Sequence, residues 1–314
     1  MPIRHRPPHR RARAFASAAI LAAATITAIT AITAIAARTA HAQAAAPGVA
    51  QGARIKVFVS IDMEGLAGVV SGASVGAQGQ DYAHFRTIMA GEASAAVDGA
   101  FRAGATDVVV RDSHGAKENL LPGELDPRAR LLRGQSSGAK NMMEGLDSSY
   151  AAVVFIGYHA KAGTPNAILE HTSTGNVVDF SINGVSLPEG GYNAMIAGLY
   201  GVPVVFASGD KALVEQIRGL LGPIEAVAVK EEVLDAVNSL SPKAAQDAIR
   251  AGVERAVRNR AHFHAYRPAG PYTMTLKVKT ERPLYPGATR TGLGEFTYSS
   301  PDLLEVLKAF NAMK

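Results

Sequence analysis

Four apolar runs of strand length restrict what this chain can fold into: IKVFVSI (Ile55–Ile61), DVVV (Asp107–Val110), AAVVFI (Ala151–Ile156) and VPVVFA (Val202–Ala207). They are β-branched and almost continuously hydrophobic, the pattern of strands buried on both faces. Between the first two, FRTIMAGEASAAVDGAF sets Phe85, Ile88, Met89, Ala93, Ala96, Val97 and Phe101 along one helical face, and Gly104 follows as a stop. KALVEQIRGLLG, after the fourth run, is a second helix. Strands alternating with helices predict an α/β fold, a mostly parallel sheet with helices on both faces.

The pattern changes near residue 226. SPKAAQDAIRAGVERAVRN starts with Ser241 as N-cap and Pro242 in the first helical position. PYTMTLKVKT alternates Tyr272, Met274, Leu276 and Val278 with Thr and Lys, a half-exposed antiparallel strand. SSPDLLEVLKAF repeats the Ser-Pro helix start at Ser300-Pro301. The expected organisation is an α/β domain over residues 55–225 and a smaller C-terminal α+β part over 226–314.

Ahead of the first run lies a leader. Residues 1–42 carry Arg4, Arg6, Arg10, Arg11, Arg13 and Arg38 and no acid, followed by a mild Ala/Thr-rich apolar stretch and Ala40-His41-Ala42 as a small-residue cleavage point. This is the layout of a signal peptide, so export to a periplasm-like space is expected, without stable membrane insertion once the leader is removed. Residues 43–54 read as a linker. Taking the six leader arginines from the 32 basic residues leaves 26 against 27 acidic ones. The basicity therefore belongs to the leader and gives no reason to expect a nucleic-acid partner. The chain has no cysteine, so a metal site must be built from His and carboxylates.

In open α/β sheets ligands bind beyond the carboxyl ends of the strands. The first run leads into Asp62 and Glu64, which, two apart on a strand, would share a face and repel. The second leads into Asp112 and His114, the third into His159 and then His171, and the fourth into Asp210. Glu189 lies in SLPEGGYNA, where Gly190-Gly191 lets backbone pass close to a site. Two strand-end histidines beside a carboxylate pair, with no thiolate and no phosphate loop, suit Zn²⁺, and a carboxylate shared between two ions would resolve the repulsion. Asp112 serves either to orient a histidine or to form a turn. His84, His262 and His264 are read as surface residues. GASVG (72–76) and GQSSG (134–138) match the serine-hydrolase pattern but lack the strand-then-helix frame it requires. The alternatives left open are a periplasmic metal- or peptide-binding protein without turnover, and a metal-dependent amidase of other specificity.

SIDMEG, DSH, GYHAKAGTP, EH, ING…PEGGYNA and VPVVFASGD together resemble the D-aminopeptidase DppA family of M55 zinc metallopeptidases, over nearly the whole chain after the linker. The resemblance implies two zinc ions per subunit, held by Asp62, Glu64, His114, His159 and Glu189, with Asp62 as the bridge. It implies His171 as the catalytic histidine, a small peptide with an N-terminal D-residue as substrate, and a homo-oligomer.

Overall fold

The computed structural model describes residues 54–314, so the predicted signal peptide and all but the last residue of the linker lie outside the described residues. β1 (Lys56–Ile61) is an interior strand of a sheet. It pairs in parallel with β2 (Asp107–Asp112) on one side and β4 (Ala152–Tyr158) on the other. β3 (Arg130–Leu132), β7 (Val204–Asp210), β8 (Glu225–Val233) and β9 (Ala236–Ser239) complete seven strands in the order β3-β2-β1-β4-β7-β8-β9, antiparallel only at β8–β9. The predicted α/β architecture is the observed one.

Strand alternation divides the core into two layers. Val57, Val59 and Ile61, with Val154 and Ile156, face one side. There they meet Ile88, Met89, Ala93, Ala96 and Val97 of helix α2 (Tyr82–Arg102), and Ile249, Val253 and Val257 of α5 (Pro242–Arg258). A short helix, α1 (Gly72–Val75), precedes α2. Phe58, Val153 and Phe155 face the opposite layer, which holds α3 (Glu189–Leu199) and α4 (Lys211–Leu221). At Gly157 the backbone takes φ +67, and the β4–β7 register shifts between Phe155 and Tyr158. That bulge turns Tyr158 into the second layer, stacked on Phe155 at 4.5 Å, and carries the chain out towards His159.

A second, fully antiparallel sheet has the order β11-β12-β10-β5-β6. Its strands are β5 (Val177–Ile182), β6 (Val185–Ser186), β10 (Tyr272–Val278), β11 (Thr289–Gly292) and β12 (Glu295–Ser300). The predicted alternation of β10 is present: Tyr272, Met274, Leu276 and Val278 are buried. They pack with Phe310 of α6 (Leu303–Met313), whose ring stacks on Phe180 at 4.0 Å.

Two expectations are corrected. The sheets do not divide at residue 225: β8, β9 and α5 complete the first sheet, whereas β5 and β6, far upstream, belong to the second. Apolar periodicity reports what an element is, not which sheet it joins, and the chain crosses to the second sheet and back after β4. The last helix is capped by Asp302, which accepts from the Leu304 amide, rather than by Ser300. Ser241, by contrast, accepts from the Ala244 amide as predicted. No helix among the described residues is long and apolar enough to cross a membrane.

Candidate metal centre

β1 stops at Ile61, so strand alternation is not what brings Asp62 and Glu64 together. They lie in the turn that follows, which lies flat across the end of β4. The Asp62 amide donates to Ile156 O (2.9 Å) and the Gly65 amide to Gly157 O (2.8 Å). From below, Lys230 of β8 donates to Glu64 O and Val69 O, and the Ala67 amide donates to the buried Glu92 carboxylate. The turn is thus held on three sides with both acid side chains directed inward.

His114 sits just past β2, and its Nδ1 lies 3.1 Å from Asp62 Oδ1 and 3.0 Å from Glu64 Oε2. Its Nε2 donates to Val75 O (3.0 Å). Asp112 takes the turn-forming role: it accepts from the Asn119 and Leu120 amides and from Asn119 Nδ2, and so shapes the loop that presents His114. His159 follows β4, is fully buried, and donates from Nδ1 to Ala160 O (3.0 Å). Its Nε2 has no hydrogen-bond partner and lies 3.7 Å from both Asp62 Oδ2 and Glu189 Oε1. Glu189 opens α3 and also accepts from the Ser173 amide. The His171 ring stacks on His159 at 4.1 Å, its Nδ1 donates to Leu169 O, and its Nε2 is 3.7 Å from Glu189 Oε1.

The six residues that the family resemblance assigns to the centre therefore converge, as two groups whose ligand atoms lie within 4.8 Å of one another: Asp62, Glu64 and His114; and His159, His171 and Glu189. The donor set fits divalent zinc. Each imidazole has one nitrogen fixed on a backbone carbonyl, so the tautomer is set and the other nitrogen faces carboxylates, as in metal-binding histidines. The orphaned, buried Nε2 of His159 is the clearest sign, because nothing in the fold satisfies it. His84, His262 and His264 are exposed and away from this cleft, as expected.

The electrostatics of these side chains point the same way. Burial, reinforced by Glu64, pushes the Asp62 carboxyl up to about 6. Burial also penalises the Glu64 charge, but the hydrogen bond and charge of His114 outweigh it and hold that carboxyl well below its ordinary value. Burial alone would lower His114; the bonds to Asp62 and Glu64 raise it to about 11. His159 is also raised, its burial overcome by Glu189, Glu64 and Asp62. Protons stand in for cations here, so a cation must displace them. The expected result is that zinc affinity rises with pH by roughly one to two decades per unit near neutrality, with proton release visible by calorimetry in buffers of different ionisation enthalpy. An affinity flat in pH would show that these rings are not ligands.

Lys117 and Lys314, which sequence reasoning passed over, line the same cavity of about 260 Å³. Lys117 shares the loop of His114, a signal that could have been used. Lys314 stands at the far end of the sequence and carried none.

A cleft of imidazoles and carboxylates at the carboxyl edge of a parallel sheet defines the class as a metallohydrolase on an α/β scaffold. The chain belongs to the D-aminopeptidase family, whose sequence profile matches residues 55–312, and it is a metallo-aminopeptidase. It is 31% identical over 266 residues to the D-aminopeptidase of Bacillus subtilis (strain 168), covering 82% of this chain and 96% of that protein. A solved structure, the Zn-dependent D-aminopeptidase DppA from Bacillus subtilis, described as a self-compartmentalizing protease, superposes with a TM-score of 0.78 at 30% identity, covering 82% of this chain and 96% of the other.

Proposed function

We propose that this chain is a zinc-dependent aminopeptidase that removes N-terminal D-residues from short peptides, with two zinc ions held by Asp62, Glu64, His114, His159 and Glu189. The observation that carries this reading is the set of three imidazoles, each pinned by one nitrogen to a carbonyl and turned by the other towards a carboxylate. Asp62 bridges the two groups, with Oδ1 near His114 and Oδ2 near His159. When bound, the zinc ions supply Lewis acidity, which polarises the scissile carbonyl and acidifies the attacking water.

His171 provides proton transfer. Its Nδ1–H is committed to Leu169 O, so Nε2 keeps its lone pair, and its side chain is 26% exposed, against 0% for His159. A ring at the rim of the cleft can take a proton from the attacking water and deliver it to the leaving amine. The backbone on either side of it takes positive φ at two non-glycine residues, Leu169 (+55) and Ser173 (+66), local strain of the kind that gathers at functional sites. The cationic, acid-free residues 1–42 support export to a periplasm-like space. The self-compartmentalizing description of the Bacillus subtilis structure supports a homo-oligomer.

The test is hydrolysis of D-alanyl dipeptides by the purified protein. Chelation abolishes turnover, zinc restores it, and a serine-directed inhibitor has no effect. His171→Ala retains its zinc content and loses on the order of a hundredfold or more in kcat. Turnover that survives chelation sinks the metal reading; an active His171→Ala protein sinks the role of that ring.

A further inference from the structure

The cavity over the metal centre has a positively charged wall that the hydrolytic chemistry does not use. Lys117 is 6% exposed, and its Nζ donates to Ser113 O (2.7 Å) and Gly115 O (3.4 Å), in the loop that presents His114. Lys117 is held at φ +63, a left-handed conformation uncommon for a lysine. Lys314 comes from the end of α6, its Nζ 5.4 Å from the centroid of the Phe310 ring, and donates to Ser173 Oγ (2.6 Å). The Ser173 amide in turn donates to Glu189. Each ammonium therefore sits one hydrogen bond from a residue that adjoins or contacts the metal-binding set.

Neither ammonium forms an ion pair with a carboxylate among the described residues, and each retains at least one free donor of its three. Burial depresses both, Lys314 to about 8, and outweighs the opposing charge of Glu189 on each and of Asp62 on Lys117. Two divalent cations against the three carboxylates Asp62, Glu64 and Glu189 would leave one net positive charge beside the two ammoniums, so the filled cavity calls for an anion. Lys314 also stands at a boundary. Together with Gln135 and Asn141 it lines both the inner cavity of about 260 Å³ and an outer one of about 430 Å³. A carboxylate held there belongs to a ligand that ends at the mouth of the inner cavity.

We propose that Lys117 and Lys314 form the subsite for the free C-terminal carboxylate of the substrate, making dipeptides the preferred substrate class. This rests on the aminopeptidase reading, and the test separates the two. The zinc-loaded protein is assayed on D-alanyl-D-alanine and on its C-terminal amide. In parallel, calorimetry measures binding of an uncleavable ketomethylene isostere of the dipeptide with either a carboxylate or a carboxamide end. The expected result is a preference for the acid of about ten- to a hundredfold, expressed in KM and in isostere affinity. Lys314→Met, whose aliphatic chain keeps the packing on Phe310, collapses that ratio towards one, and Lys314→Arg retains most of it. Equal handling of acid and amide by the wild type, or equal loss on both in Lys314→Met, overturns the subsite while the aminopeptidase reading stands. No turnover of either peptide, with acid-selective isostere binding that Lys314→Met removes, leaves the subsite standing and refutes the aminopeptidase. Failure of both isosteres to bind overturns the subsite.

Discussion

Asp62→Asn is expected to eliminate zinc binding and to lower peptide hydrolysis by at least about a thousandfold, without weakening the metal-free fold. Asp62 faces both groups of candidate ligands, so under the proposed assignment its loss removes a ligand from each. An asparagine can still accept from the Met63 amide, as Asp62 Oδ1 does at 2.9 Å, so the turn keeps its local bond. The stability side follows from linkage. The Asp62 carboxyl is raised to about 6 from an ordinary 3.8, chiefly by burial and then by Glu64. A raised acid destabilises the fold where it is ionised. The cost is absent below the unfolded-state value, grows as pH rises towards the folded-state value, and is full above it. Metal-free Asp62→Asn should therefore melt at or above metal-free wild type at pH 8 and close to it at pH 4. Added zinc should raise the melting temperature of the wild type alone. A variant that still gains stability with zinc, or melts well below the wild type at pH 8, would show that Asp62 serves packing rather than metal.

Gly65→Ala is expected to cost about 3–5 kcal/mol, enough to lose most soluble protein. A Cβ on Gly65 would lie 1.8 Å from Tyr158 O and 2.5 Å from Gly157 C, both main-chain atoms of β4 that no rotamer change can move. The turn would have to lift from β4, breaking the bond from the Gly65 amide to Gly157 O and displacing Asp62 and Glu64. Gly72→Ala is the control, because its added Cβ meets nothing within 4 Å, and it should change stability by less than about 0.5 kcal/mol. Chemical denaturation of the two variants side by side settles the matter; equal stability would mean that the close approach at Gly65 is not rigid.

The same crowding explains why three loops can converge on one spot. The added Cβ of Gly209 would lie 2.0 Å from Tyr158 O, and that of Gly157 2.3 Å from Asp62 O. The ends of β1, β4 and β7 thus approach main chain to main chain, which only glycine permits. Those glycines were in view beside the acid and histidine motifs, in DMEG, GYH and SGD, but a single sequence does not say what each one touches.

Much of the candidate centre is legible in the sequence. His114 and His159 were found because strand ends of a parallel sheet open on one edge, wherever the strands fall in the order. Asp62 and Glu64 were found for a partly wrong reason: they share a target because a turn folds them inward, not because a strand alternates. Glu189 and His171 are visible as candidates in the sequence, but only the family resemblance gives them roles, since neither follows a parallel strand of the first sheet directly. Lys117 and Lys314 were missed, Lys314 because α6 brings it back from the far end of the chain.

Hydrophobic periodicity, strand-end chemistry and the absence of cysteine determined the α/β class, the edge that carries the site, and the hard, thiolate-free donor set. These are local properties, written in a few adjacent residues. Tertiary structure alone decided which sheet β5, β6, β8 and β9 join, which ring nitrogen each histidine turns inward, and which lysines wall the cavity. Each of these depends on contacts between segments far apart in sequence, whose partners no local pattern names.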